Sequence, residues 1–237
     1  MTEQQYNLRV AHLYGDLMNT YGDYGNIIAL RYYAQQIGVD VTDQLVSLGD
    51  DFNADNFDFA LFGGGQDYEQ SIVAPDLQRI GNEVTRFIEN DGPIIAVCGG
   101  YQLLGNYFIM ADDTRVEGIG AMNIYTENQA TSRFIGNVTI KNSETGEEYH
   151  GFENHQGRTY LSEQERPLGQ VVVGNGNNGV DGSEGVIYRN VFGTYFHGPI
   201  LTRNGNLALR MLELALIRKY PTVDWHSKLA NVTPEFF

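Results

Sequence analysis

The sequence is poor in several things, and each shortage excludes a class of function. Its 237 residues include a single cysteine, Cys98, which rules out an intramolecular disulfide framework and any multi-cysteine zinc or iron–sulfur site. Basic residues are scarce: 15 Lys and Arg stand against 30 Asp and Glu, for a formal charge of −15. Such a chain has little surface with which to neutralise phosphates, so nucleic acid is excluded as a partner, as is docking on an anionic bilayer by charge. No apolar run approaches the ~20 residues that span a membrane. The opening stretch Met1–Gln5 is polar, so no secretory signal is expected and the chain reads as cytoplasmic. There is no Gly-Lys pair and hence no Walker-type ATP site, and neither His-x3-His nor His-Glu-x-x-His spacing occurs. We therefore expect no nucleotide and no metal on this chain.

What the chain does have is enough apolar content for a core, 42% hydrophobic, and an excess of glycine, 28 residues or about 12% against a usual ~7%. The first half alternates strand and helix patterns: strands over Leu8–Tyr14, Val39–Leu48, Phe57–Phe62 and Ile94–Val97, helices over Asn26–Ile37 and Pro75–Glu89. Apolar strands unbroken by polar residues, separated by helices, imply a parallel sheet covered on both faces. From Tyr107 to Tyr195 the runs are short and alternating, with strands, several of them antiparallel, expected over Arg133–Lys141, Gln170–Gly174, Gly185–Arg189 and Val191–Phe196. Asn204–Tyr220 is a helix apolar almost all round and so expected to be buried. The tail from Pro221 carries no clear pattern. With no repeat, low-complexity tract or linker, residues 1–237 are read as one α/β domain. Its expected architecture is a flavodoxin-like, mostly parallel twisted sheet flanked by helices and extended by antiparallel strands.

The sharpest local signal is Ala96-Val97-Cys98-Gly99-Gly100-Tyr101-Gln102-Leu103-Leu104-Gly105. An apolar strand ends on a nucleophile, two glycines follow, and a helix begins, which is the logic of a nucleophile elbow. The turn sets the sulfur at a helix N-terminus, where the dipole favours thiolate, and a free thiol with a pKa of about 8.5 needs that help near neutrality. The Gly99 N–H points to where an oxyanion would form. The Gly63-Gly64-Gly65 run offers a second oxyanion donor, expected near Gly64. Among five histidines, His12, His150 and His226 have no partner motif, whereas His197 and His155 compete for the role of general base. His197 leads because it closes a strand entering a Gly-Pro loop.

These residues carry a resemblance. The stretch Cys98–Gly105, the run Gly63-Gly64-Gly65-Gln66-Asp67, the segment Gly151-Phe152-Glu153-Asn154-His155-Gln156-Gly157-Arg158 and the segment Gly193-Thr194-Tyr195-Phe196-His197-Gly198-Pro199 together resemble the triad-type (class I) glutamine amidotransferases. The likeness is greatest to their cobyric-acid-synthase-like (CobB/CobQ-like) branch. Within it, Asn19–Asn26 and Gly65–Gln70 resemble the GatD-type subunits of lipid II isoglutaminyl synthase. The resemblance implies Cys98 as nucleophile, His197 as acid and base, Gly64 and Gly99 as oxyanion donors, Arg133 holding the α-carboxylate of L-glutamine and Gln102 helping to hold the substrate. Glu153 and His155 are possible supporting residues. It also implies a Mur-ligase-like synthetase partner of the MurT type, carrying ATP, that amidates the D-glutamate α-carboxyl of the lipid II stem peptide to D-isoglutamine.

Two positions depart from the wider pattern. Ala96 stands where many relatives have Gly, and Pro199 stands where the fuller triad has Glu, an acid that the branch resembled also lacks. A thiolate–imidazolium dyad can run the chemistry, and an acid could come from Glu153 or from the partner. Rival readings are an amidotransferase for a corrinoid-type or other carboxylate acceptor, a non-catalytic binding subunit with a decayed site, and a thiol hydrolase acting on esters or γ-glutamyl peptides.

Overall fold

The computed structural model describes residues 5–129 and 132–236. Five parallel strands form one sheet: β1 (Tyr6–Leu13), β2 (Val39–Val46), β3 (Phe59–Phe62) and β4 (Ile94–Val97) from the first half and, much later in the chain, β14 (Val191–Thr194). Helix α1 (Gly25–Gln36) joins β1 to β2, α2 (Asp67–Glu89) joins β3 to β4, and α3 (Gly99–Leu104) follows β4. With antiparallel β13 (Val186–Tyr188) at one edge, the six-stranded sheet has the order β13-β14-β4-β3-β1-β2. The run β2-β1-β3-β4-β14 is the doubly wound order of flavodoxin-like folds.

Each strand feeds two cores because successive side chains alternate faces. Leu8, Val10, Phe59, Leu61, Ile95 and Val97 point to one side, where they pack with α1, α5 (Gly205–Lys219) and α6 (Trp225–Leu229). Ala11, Leu13, Ala60, Phe62, Ile94 and Ala96 point to the other, against Val73, Leu77, Val84 and Phe87 of α2. The unbroken apolar strands of the sequence are the signature of this double burial.

The strands of the second half, mostly antiparallel, do more than extend that sheet. β5 (Tyr107–Ile109), β6 (Arg115–Glu117), β7 (Ile124–Asn128) and β10 (Gly157–Leu161) form a four-stranded sheet of their own. β8 (Phe134–Lys141), β9 (Glu148–His155), β11 (Gly169–Val173), β12 (Ser183–Glu184) and β15 (Phe196–His197) form a five-stranded one. The short helix α4 (Ile200–Arg203) follows β15.

Three details differ from the pattern reading. α2 begins at Asp67, eight residues before Pro75, because Gln66 and Glu69 close a capping box there; Pro75 sits inside the helix rather than at its start. The expected strand Val191–Phe196 is split at Tyr195, and its two parts belong to different sheets. α5 buries Leu207, Met211, Leu212 and Leu216 but leaves Ile217 47% exposed, so it covers the sheet with one face.

Candidate active site

The site lies where β1, β3 and β4 end side by side, at the switch point of the strand order, where the connections diverge to opposite faces and leave a crevice. At Cys98 the chain turns from β4 into α3. Its N–H still bonds Thr194 O at 2.8 Å as a strand residue, while its C=O already accepts from Gln102 N at 3.0 Å as the first helical carbonyl. Satisfying both forces φ 48° and ψ −104° on a residue with a side chain. The glycines beyond it are steric necessities: a Cβ on Gly100 would lie 2.5 Å from Phe62 O, and one on Gly99 2.9 Å from the Gln70 side chain.

His197 reaches the same point from another sheet. Glu184, fully buried, accepts from Tyr195 N at 2.7 Å and from the Thr194 hydroxyl at 3.1 Å, and that hydroxyl accepts from Phe196 N at 3.0 Å. These bonds absorb the backbone groups freed where β14 stops, and the chain crosses to pair β15 with β9, His197 opposite Phe152. The His197 ring is buried against Tyr21, centroids 4.7 Å apart. Gly64 marks the convergence: a Cβ there would sit 3.3 Å from His197 Cε1, 3.4 Å from Cys98 Cβ and 3.4 Å from Asp23 Oδ2.

Burial governs protonation here. It pushes the Cys98 thiol up to about 12, with the Asp23 carboxylate adding to the rise and the Gly99 N–H and Arg133 opposing it. Burial, and secondarily Arg133, lowers His197 to about 4. Desolvation thus disfavours the charged forms of both groups in the unliganded site. That desolvation opposes the thiolate which the short helix α3, six residues long, favours at its N-terminus.

The other candidates divide. Gly64 does not offer its N–H to the cavity, because Asp23 Oδ2 accepts it at 2.7 Å; the expected oxyanion role at that amide is corrected. Asp23 is fully buried, its Oδ1 has no partner among the described residues, and burial raises it to about 7. Glu153 is also not the acid beside His197. Its carboxylate accepts from the backbone N–H groups of Asn175 and Gly176 at 2.9 Å and from Asn175 Nδ2, and it stands opposite Phe196, not His197. Neither ring nitrogen of His197 has a hydrogen-bond partner among the described residues.

His155 stacks on Tyr195, rings 3.6 Å apart and 6° from parallel, with Nδ1 2.8 Å from Gly157 O. Burial lowers it to about 3, so it stays neutral. Gln102 donates to Tyr195 OH at 3.1 Å and accepts from Gln70 Nε2 at 2.9 Å; its amide is anchored in the wall. Arg133 bonds Asn154 through Nε at 2.5 Å and through Nη2 to the Asn154 carbonyl at 3.2 Å, and has no ion-pair partner among the described residues.

A cavity of about 460 Å³ opens over the elbow, lined by Cys98, His197, His155, Gln102, Gly65 and Arg133 among others. It gathers every side chain expected to act except Glu153. Three contributors escaped the sequence reading: Asp23, Tyr21 and Glu184. The first two lie in the segment Asn19–Asn26, which carried a resemblance and a loop signal but assigned neither residue a role. Glu184 sits in a two-residue strand and carried no sequence signal.

Comparison with known proteins agrees with this geometry. The chain is 57% identical over 215 residues, 91% of its length and 83% of the relative's, to the glutamine-hydrolysing subunit GatD of lipid II isoglutaminyl synthase from Streptococcus pneumoniae. It is 40% identical over 214 residues, 90% of its length and 86% of the relative's, to the subunit of the same name from Staphylococcus aureus. A solved glutamine amidotransferase superposes with a TM-score of 0.57 at 16% identity, covering 87% of this chain and 98% of that one, a likeness of fold. The model of the CobB/CobQ-like glutamine amidotransferase domain matches residues 9–205, and the chain belongs to that family.

Proposed function

We propose that this chain hydrolyses L-glutamine to glutamate and ammonia, and that it is the glutaminase subunit of a lipid II isoglutaminyl synthase. The carrying observation is the convergence of Cys98 and His197 on Gly64, across a cavity with room for an amino acid. The identity to two GatD subunits supports the more specific part of the reading.

His197, neutral and desolvated, takes the thiol proton as Cys98 Sγ attacks the side-chain amide carbon. A buried thiol is a poor nucleophile until that proton leaves, so transfer and attack are coupled. The tetrahedral oxyanion falls beside the Gly99 N–H, which already points at the sulfur. We assign the second donor to Gly65, whose N–H has no acceptor among the described residues and which lines the cavity. Imidazolium then protonates the leaving ammonia, and the imidazole activates water to release glutamate from the thioester. Arg133, without a carboxylate partner of its own, binds the α-carboxylate bidentately.

Ammonia then passes to a Mur-ligase-like synthetase subunit, which holds ATP and amidates the D-glutamate α-carboxyl of the stem peptide. The acid that would orient His197 is the partner's to supply. No helix among the described residues is long and apolar enough to cross a membrane. With a charge of −15, we place the chain in the cytoplasm and assign contact with the lipid-linked substrate to the partner.

The test is ammonia release from L-glutamine by the wild type and Cys98→Ala, each alone and with the copurified synthetase, together with mass spectrometry of the stem peptide. Release that depends on Cys98 and a mass loss of about 1 Da per amidated carboxyl are expected. Release independent of Cys98, or none in any combination, refutes the glutaminase. Cys98-dependent release without stem-peptide amidation refutes the assigned acceptor.

A further inference from the structure

The described residues lining the cavity include one carboxylate and one guanidinium, Asp67 and Arg133. Neither charge is neutralised by a neighbour. Asp67 Oδ2 accepts from Ala111 N at 2.8 Å, and Oδ1 has no hydrogen bond among the described residues. Arg133 bonds only Asn154. Asp67 is the first residue of the 23-residue helix α2.

A belt of hydrogen bonds holds the two charges around the rim. Asp67 grips Ala111 N; Ala111 O accepts from Asn128 Nδ2 at 3.3 Å; Asn128 Oδ1 accepts from Gln156 Nε2 at 3.0 Å. Two residues before Gln156, Asn154 holds Arg133. The cavity thus presents one fixed negative and one fixed positive charge beside a nucleophile, the complement of a zwitterion.

We propose that Asp67 receives the α-ammonium group of L-glutamine while Arg133 receives its α-carboxylate, so that the site selects the free amino acid over a glutamine side chain within a peptide. A peptide-bound glutamine carries neither charge and would leave both wall groups without an ionic partner. The assignment rests on the glutaminase reading and adds a specificity-determining residue to it.

The test uses the full chain with Cys98→Ala, so that ligands bind without turnover, and titration calorimetry with L-glutamine and with glutaramate, which lacks only the α-amino group. Asp67→Asn, which keeps an acceptor for Ala111 N–H, weakens L-glutamine binding by roughly 10–100-fold, the range for a lost charge-assisted hydrogen bond, and leaves glutaramate unchanged. Asp67→Glu, which keeps the charge, retains the preference for L-glutamine over glutaramate. An equal loss for both ligands in Asp67→Asn overturns the assignment in favour of a role in holding the Ala111 loop. An unchanged L-glutamine affinity also overturns it. If the parent chain binds glutaramate but not L-glutamine, or neither, the glutaminase reading fails with it.

Discussion

The elbow makes a prediction about stability that runs opposite to ordinary experience. Cys98 holds φ 48° and ψ −104°, a region that residues with a Cβ enter at a cost of about 1–3 kcal/mol. Replacing Cys98 by Ala removes the thiol and keeps the Cβ, so the strain remains. Replacing it by Gly removes both. Against that gain stands glycine's greater freedom in the unfolded chain, which costs roughly 0.5–1 kcal/mol. The balance makes Cys98→Gly more stable than Cys98→Ala by about 1 kcal/mol, whereas at an ordinary strand end the glycine variant loses by 0.5–1 kcal/mol or so. For a chain of this length the difference is about 2–4 °C in Tm. Urea titrations of the two variants, with equal slopes, read it directly as a shift of midpoint. Both variants are inactive, so the comparison isolates the backbone. If the glycine variant unfolds first, the strain argument is wrong and the elbow is held without energetic cost.

Two further expectations concern protonation. Asp23 rises from the usual carboxylate value to about 7 through burial. Its folded pKa lies above its unfolded one, so the native state holds a proton that the unfolded chain has released, and stability is lost as pH climbs from about 4 to about 7. The full difference is about 4 kcal/mol. Asp23→Asn does not titrate, so its stability relative to wild type should improve by several kcal/mol between pH 4 and pH 8; a pH-independent difference, read by chemical denaturation, disproves the burial argument. His197, lowered to about 4, stays a competent base well below the 6.5 of an ordinary imidazole. Glutamine hydrolysis by the chain alone should then keep its kcat/KM from pH 6.5 down to about 5, and an inflection near 6.5 contradicts a desolvated base.

Much was legible in the sequence because it is locally encoded. Doubly buried strands have no polar residues to interrupt them, which is why Phe59–Phe62 and Ile94–Val97 announced a parallel sheet. The elbow announced itself because a strand-to-helix reversal needs Gly99 and Gly100, and a Cβ at Gly100 meets the carbonyl of Phe62. The segments bearing His197, His155 and Arg133 were likewise visible as motifs and as a resemblance, and they do meet at one cavity. The tertiary structure decided matters that depend on which atoms lie opposite which. It turned the expected oxyanion amide of Gly64 toward Asp23, a partner 41 residues away. It tied Glu153 to Asn175 and Gly176 on the side of β9 away from His197. It set desolvation against the thiolate, because desolvation is a property of everything packed around a group, while a motif records only its neighbours along the chain. The residues able to do the chemistry are written in the sequence; their charge states, and which backbone N–H groups remain free to serve them, exist only once distant segments have packed together.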